Sequence, residues 1–258
     1  MNIEKHTKKM YDTYGKKYQK TREEKHLSRL YNEFLEVPSM IKAVGKIRNK
    51  SLLDIGCGAG IHIKHYLKSG AKCSGIDLSK TMITLAKQNC PNVDFKIGSM
   101  NKLPFKDASF DIVTASLSMH YIDNLNPVLK EINRVLKTGW LFYYSDESPI
   151  ASTRERYEDD DFKIVGIGKF IDKKSGKTIV LGNSMNEGLV EREMVPGMII
   201  KSYKKTFRTQ LQELTKANFE LVDFIDCKPI SDFKKYNPDS YKVYTKFPLF
   251  SIYVSKKK

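Results

Sequence analysis

Arginine is scarce in this chain: only eight of its 45 basic residues are arginine, the rest lysine. Base readout and stacking on nucleic acid favour arginine. The aromatic residues do not interleave with basic runs in any RNA-binding pattern. The net charge of +15 therefore reads first as a lysine-rich composition, and nucleic acid stands behind a small molecule as a partner class. Cysteine is also scarce. Cys57, Cys73, Cys90 and Cys227 are scattered, with no CxxC pair and no ligand spacing, which argues against a disulfide framework and a metal site and for reduced thiols in the cytoplasm. No apolar run reaches the length of a membrane span. The first twenty residues hold no apolar stretch, so a secretory signal is not expected. Internal repeats and low-complexity linkers are missing too.

What remains is a chain of 258 residues, 40% hydrophobic, which suits one large domain with its own core. Its most informative stretch is Leu52 to Gly60, LLDIGCGAG, followed by Asp77 in CSGIDLS. An apolar strand runs into a glycine-rich turn, and a second apolar run ends in a carboxylate. Glycines let the backbone pass close to a ligand, and the acid can accept both hydroxyls of a ribose. The glycines fall at Gly56, Gly58 and Gly60, with Ile61 next. A dinucleotide-binding turn places its third glycine one residue later, so the spacing points to a different adenosine-bearing cofactor.

From residue 51 to about 146 strands and helices alternate, the pattern of a parallel sheet with helices on both faces. Strands are expected at 51–55, 72–77, 93–97, 110–116 and 140–145. A short helix over 61–69 should stop at Gly70. Ser79 should cap a second helix, with Pro91 beyond its end. A third helix near 124–137 carries Val128, Leu129, Ile132, Val135 and Leu136 at helical spacing, with Gly139 as its cap. Beyond 150 come an acidic cluster (Glu155, Glu158, Asp159, Asp160, Asp161), read as a solvated face, and two extended runs about a turn at Lys173 to Gly176, read as an inserted β-hairpin. A last amphipathic helix near 206–217 and strands at 219–226 and 248–255 follow. The first fifty residues read as one or two helices.

DIGCGAG with GIDLS resembles motif I and its partner acid in the class I S-adenosylmethionine-dependent methyltransferases, in particular the small-molecule, type 11-like methyltransferase domain. Three further blocks follow in the family's order. They are IGSMNKLPFKDASFDIV (Ile97 to Val113), ASLSMHYIDNLNPVLKEINRVLKTGW (Ala115 to Trp140) and SYKKTFRTQLQELTKANFELVDFIDCKP (Ser202 to Pro229). The resemblance implies a Rossmann-like α/β fold, with a seven-stranded sheet, six strands parallel and the last antiparallel, and helices on both faces. It implies a single domain over 1–258: an N-terminal helical lid (1–50), a cofactor-binding core (51–146), an inserted acceptor cover (147–205), and a last helix with two strands (206–258). It also implies S-adenosyl-L-methionine as cofactor and a small-molecule acceptor. A tRNA-modifying methyltransferase and a non-catalytic cofactor-binding adaptor are the alternatives.

By the same resemblance, Gly56 and Gly58 line the methionine and ribose portion, Gly60 completes the turn, and Asp54 supports that loop. Asp77 takes the ribose diol, Leu78 and Met100 sandwich the adenine, and Ser116 lies near the methionine end. Ser99 stands where the family usually has an acid. Tyr11, Tyr14 and Tyr18 share a helical spacing, either as a packed face or with Tyr18 as a lid over the cofactor. His120 and Asp146 leave the fourth and fifth strands at the same rim and are the candidate catalytic residues, His120 as general base. His62 and His65 read as surface residues.

Overall fold

The computed structural model describes residues 3–24, 30–158, 163–172 and 175–258. Helix α1 (Ile3–Glu23) comes first. A π-helical turn, Asn32–Glu36, then leads directly into α2 (Val37–Val44). The core alternates β1 (Ser51–Ile55), α3 (Ile61–Lys68), β2 (Lys72–Asp77), α4 (Lys80–Asn89), β3 (Asp94–Ile97), β4 (Phe110–Ser116), α5 (Leu125–Val135) and β5 (Leu136–Glu147). A short 3₁₀ turn, Met119–Tyr121, links β4 to α5.

After α6 (Pro149–Ser152), six strands form three separate antiparallel hairpins. They are β6 (Glu155–Glu158) with β7 (Lys163–Gly166), β8 (Gly168–Ile171) with β9 (Thr178–Leu181), and β10 (Gly188–Val195) with β11 (Met198–Lys204). The chain closes with α7 (Phe207–Lys216), β12 (Phe219–Asp226), α8 (Phe233–Tyr236), α9 (Pro238–Tyr244) and β13 (Phe250–Lys257).

Seven strands make one sheet in the order β12-β13-β5-β4-β1-β2-β3. β13 runs antiparallel to both neighbours, and every other adjacent pair is parallel. This is the Rossmann-like architecture expected. β1 and β4 lie at the centre, covered on both faces, and for that reason read as nearly unbroken apolar runs. Strand order reverses between them, so the crevice beyond Ile55 and Ser116 is where the topology places a ligand. On one face α5 lays Val128, Leu129, Ile132 and Val135 into the core, each fully buried. Ser79 caps α4 as expected, its hydroxyl accepting from the Met82 N–H at 3.2 Å.

Several sequence expectations are corrected. Gly139 does not cap α5. That helix closes at Val135 and the chain passes straight into β5. Phe110 then pairs with Leu136 but Ile112 with Leu141, so the intervening residues bulge out, and Gly139 sits there at φ +80°. The insertion holds three hairpins, not one: the expected one is β8–β9, and β6–β7 and β10–β11 flank it. Asp159, Asp160, Asp161, Lys173 and Lys174 lie outside the described residues. Two short helices, α8 and α9, lie between the last two strands where none was expected. Among the described residues no helix is long and apolar enough to cross a membrane.

Helix α1 is held on both sides. The Asp12 carboxylate accepts from the Ser79 hydroxyl at 2.7 Å and the Thr81 N–H at 3.3 Å, at the start of α4. On the opposite side, Lys17 donates to the Pro196 carbonyl and His6 meets the Ile199 carbonyl. There Met10, Tyr11, Tyr14 and Tyr18 pack against Val195, Met198 and Ile200 of the β10–β11 hairpin.

Candidate active site

Two cavities open at the switch point. The inner one, about 140 Å³, lies over the glycine turn and is bordered by Gly56, Gly58, Asp77, Leu78, Ser99 and Met100 at one end. The outer one, about 640 Å³, lies between β5, α1 and the β10–β11 hairpin. They share Tyr11, Tyr18, Asn32, Leu117 and Tyr121 as a common wall.

The glycine turn is shaped by its backbone. Gly56, Gly58 and Gly60 all have φ between +53° and +78°, a region that L side chains rarely adopt. A Cβ on Gly56 would come within 2.6 Å of the Ser118 Cβ, whereas a Cβ on Gly58 would meet no atom within 4 Å. Gly58 therefore leaves its space to a ligand. The Asp77 carboxylate spans the turn, accepting from the Gly58 N–H at 2.9 Å and the Ser79 N–H at 2.8 Å. Burial raises its pKa, and those N–H groups oppose the rise. A carboxylate can accept more bonds than these, and Asp77 borders the cavity. The segment that follows Met100 is tied down. Arg134 donates to the Leu103 and Phe105 carbonyls at 2.9 and 2.8 Å, and Glu131 accepts the Leu103 N–H at 2.7 Å.

A polar, adenosine-bearing cofactor with an amino-acid tail fits these residues. Thr7 and Ser116 border the inner cavity, and their Oγ1 and Oγ are buried with no partner among the described residues; such groups are costly unless a ligand satisfies them. Leu78 and Met100 supply apolar walls, and Asp77 supplies the acceptor for a diol.

The expected site residues divide into those at the cavity and those behind it. Tyr18, Gly56, Gly58, Asp77, Leu78, Ser99, Met100 and Ser116 all border the inner cavity. The Ser99 hydroxyl also accepts from the Asn101 N–H at 3.1 Å. Gly60 does not border it; it starts α3 and lies over Ala86 and Phe95. Asp54 is 1% exposed and sits behind the strand, accepting the Thr114 hydroxyl at 2.7 Å. Burial pushes the Asp54 carboxyl up to about 6. His120 and Asp146 come together in the outer cavity, with Nδ1 3.2 Å from Oδ1.

Other residues join the site, and of these Tyr121 and Arg192 had no signal in the sequence. Tyr11 and Tyr121 join hydroxyl to hydroxyl at 2.7 Å in the wall between the cavities. Arg192 and Glu147 form a two-pronged ion pair in the outer cavity, with Nη2 to Oε2 at 2.8 Å. Lys205 borders the same cavity and donates to the Ile122 carbonyl. His62 is not a surface residue as expected: it is 8% exposed and pairs with buried Glu36 at 2.8 Å. His65, its neighbour on α3, is exposed as expected.

Comparison with known proteins agrees with this geometry. The family described as methyltransferase domain matches residues 53–143. An uncharacterized protein of Haemophilus influenzae is 30% identical over 203 residues, covering 74% of this chain and 75% of that one. A demethylmenaquinone methyltransferase of Chlorobaculum parvum is 37% identical over 103 residues, 40% of this chain and 43% of that relative. In three dimensions the chain resembles an S-adenosylmethionine-dependent methyltransferase of Mesorhizobium loti, with a TM-score of 0.68 at 20% identity over 85% of this chain and 96% of that one. The chain belongs to the class I S-adenosylmethionine-dependent methyltransferases, and its cofactor is S-adenosyl-L-methionine.

Proposed function

We propose that the chain transfers a methyl group to an oxygen, nitrogen or carbon atom of a small molecule held in the outer cavity. The observation that carries this is the pair of cavities meeting at one tyrosine-lined wall. A space of about 640 Å³ is within the range of small-molecule sites. Residues of α1 and of the β10–β11 hairpin both contribute to its walls. The Chlorobaculum relative also carries a small-molecule acceptor in its name.

The cofactor supplies a methyl group already activated on a sulfonium. The protein's tasks are to align the acceptor atom with it and to exclude water. Gly56 and Gly58 seat the cofactor, and Asp77 and the Leu78–Met100 pair fix its adenosine. That leaves the methionine end near Ser116, against the wall shared with the outer cavity. Tyr11, Tyr18 and Tyr121 line both cavities, where the methyl group would pass to the acceptor. Where the acceptor arrives protonated, His120 takes the proton. Its Nδ1 is engaged by Asp146, which holds the ring and leaves Nε2 for the acceptor.

Incubation with methyl-labelled cofactor and a metabolite extract, read by mass spectrometry, tests the acceptor class. A labelled product below about 1 kDa is expected. Label that appears only on RNA or protein supplied in parallel would overturn the small-molecule reading.

A further inference from the structure

His62 borders the inner cavity with Gln19, Arg22 and Glu36, and Glu36 reaches Ser145 of β5, whereas Leu78 follows β2 on the other side of the β4–β1 pair. The His62 side chain is 10% exposed. Nε2 is committed to the Glu36 carboxylate at 2.8 Å, and no protein partner is found for Nδ1 among the described residues. Glu36 is itself fixed: its other oxygen accepts the Ser145 hydroxyl at 2.6 Å. It comes from the π-helical turn, a distortion of the helix that points its last residue inward. Arg22, the nearby guanidinium, gives its Nε–H and one Nη2–H to Glu33 at 2.8 and 2.5 Å and keeps its other N–H donors.

We propose that His62 binds the carboxylate of the cofactor's methionyl group through Nδ1–H, and that Glu36 is the positioning residue that keeps the ring charged and aimed. The cofactor is a rod with adenosine at one end and a zwitterionic amino acid at the other. With adenosine at Asp77, Leu78 and Met100, the amino acid reaches the opposite end of the cavity. His62 is a cation there, and its Nδ1–H is a donor with no protein partner among the described residues. Its protonation is favoured. Burial alone would lower the His62 pKa, but the charge and hydrogen bond of Glu36, with Asp54 beneath, outweigh it and raise the value. The glycine turn places His62 at this point, two residues beyond Gly60.

Calorimetry with two probes tests this: S-adenosylhomocysteine, which carries the amino-acid tail, and 5′-methylthioadenosine, which lacks it. A charge-assisted hydrogen bond corresponds to a ten- to hundredfold change in affinity, roughly. His62→Asn should weaken S-adenosylhomocysteine by at least about tenfold and leave 5′-methylthioadenosine within about twofold. Glu36→Gln should shift the two probes in the same selective way, by a smaller factor. In the wild-type chain, which needs no substitution, the His62 ring resonances should move with S-adenosylhomocysteine and stay in place with 5′-methylthioadenosine. An equal loss for both probes, no loss for either, or ring shifts that are the same with both would overturn the assignment.

Discussion

Asp77→Ala should weaken S-adenosylmethionine binding by about 10²- to 10⁴-fold. Each ribose hydroxyl donating to a carboxylate corresponds to roughly 1.5–3 kcal/mol, and Asp77 is placed to accept two of them. The residue also ties the Gly58 N–H to the Ser79 N–H, at 2.9 and 2.8 Å. Removing it therefore frees the glycine turn as well as the diol. Asp77→Asn separates the two effects. The amide keeps the size and one acceptor oxygen but turns the other oxygen into a donor, so an intermediate loss is expected. Calorimetry reads both, and an unchanged circular dichroism spectrum confirms the fold. If Asp77→Ala binds as tightly as the wild type, the ribose is not held at β2.

The second large effect falls on the rate and leaves cofactor affinity unchanged. His120→Ala should lower kcat by about 10²- to 10⁴-fold, the usual range for a general base, once an acceptor is identified. The affinity for S-adenosylmethionine should stay within about twofold, because His120 borders the outer cavity and not the inner one. Asp146→Asn should give a smaller loss of kcat, since Asp146 orients the ring from 3.2 Å without meeting the acceptor's proton. An acceptor that is ionised before it binds would leave the His120→Ala rate intact, and the histidine would then have no proton to move.

The half of the site assigned to adenosine was legible because its chemistry is local in sequence. A strand must end, the backbone must turn at positive φ, and a second strand must end in an acid, all between Leu52 and Asp77. The sheet was legible for a related reason. Central parallel strands such as β4 are buried throughout and advertise themselves as apolar runs. The other half depends on meetings that leave no local mark. Glu36 and His62 are separated by 26 positions. His62 lies between Ile61 and Ile63 on a short helix, and nothing local marks its partner. Tyr11 reaches Tyr121 across 110 positions, and only the fold of α1 over the sheet brings them together. Gly139 misled for a simple physical reason. A glycine at positive φ after a helix is the usual sign of a C-cap, and here the same conformation serves a strand bulge.

The central claim is a division of labour: cofactor in the inner cavity, acceptor in the outer one, and the methyl group crossing between them at the tyrosine wall. A crystal structure with S-adenosylhomocysteine tests it most directly through the position of the sulfur. The expected arrangement has the ribose on Asp77, the adenine between Leu78 and Met100, and the sulfur beside Ser116, facing the opening framed by Tyr11, Tyr18 and Tyr121. A sulfur turned away from that opening, or adenosine lodged in the outer cavity against His120, would contradict it.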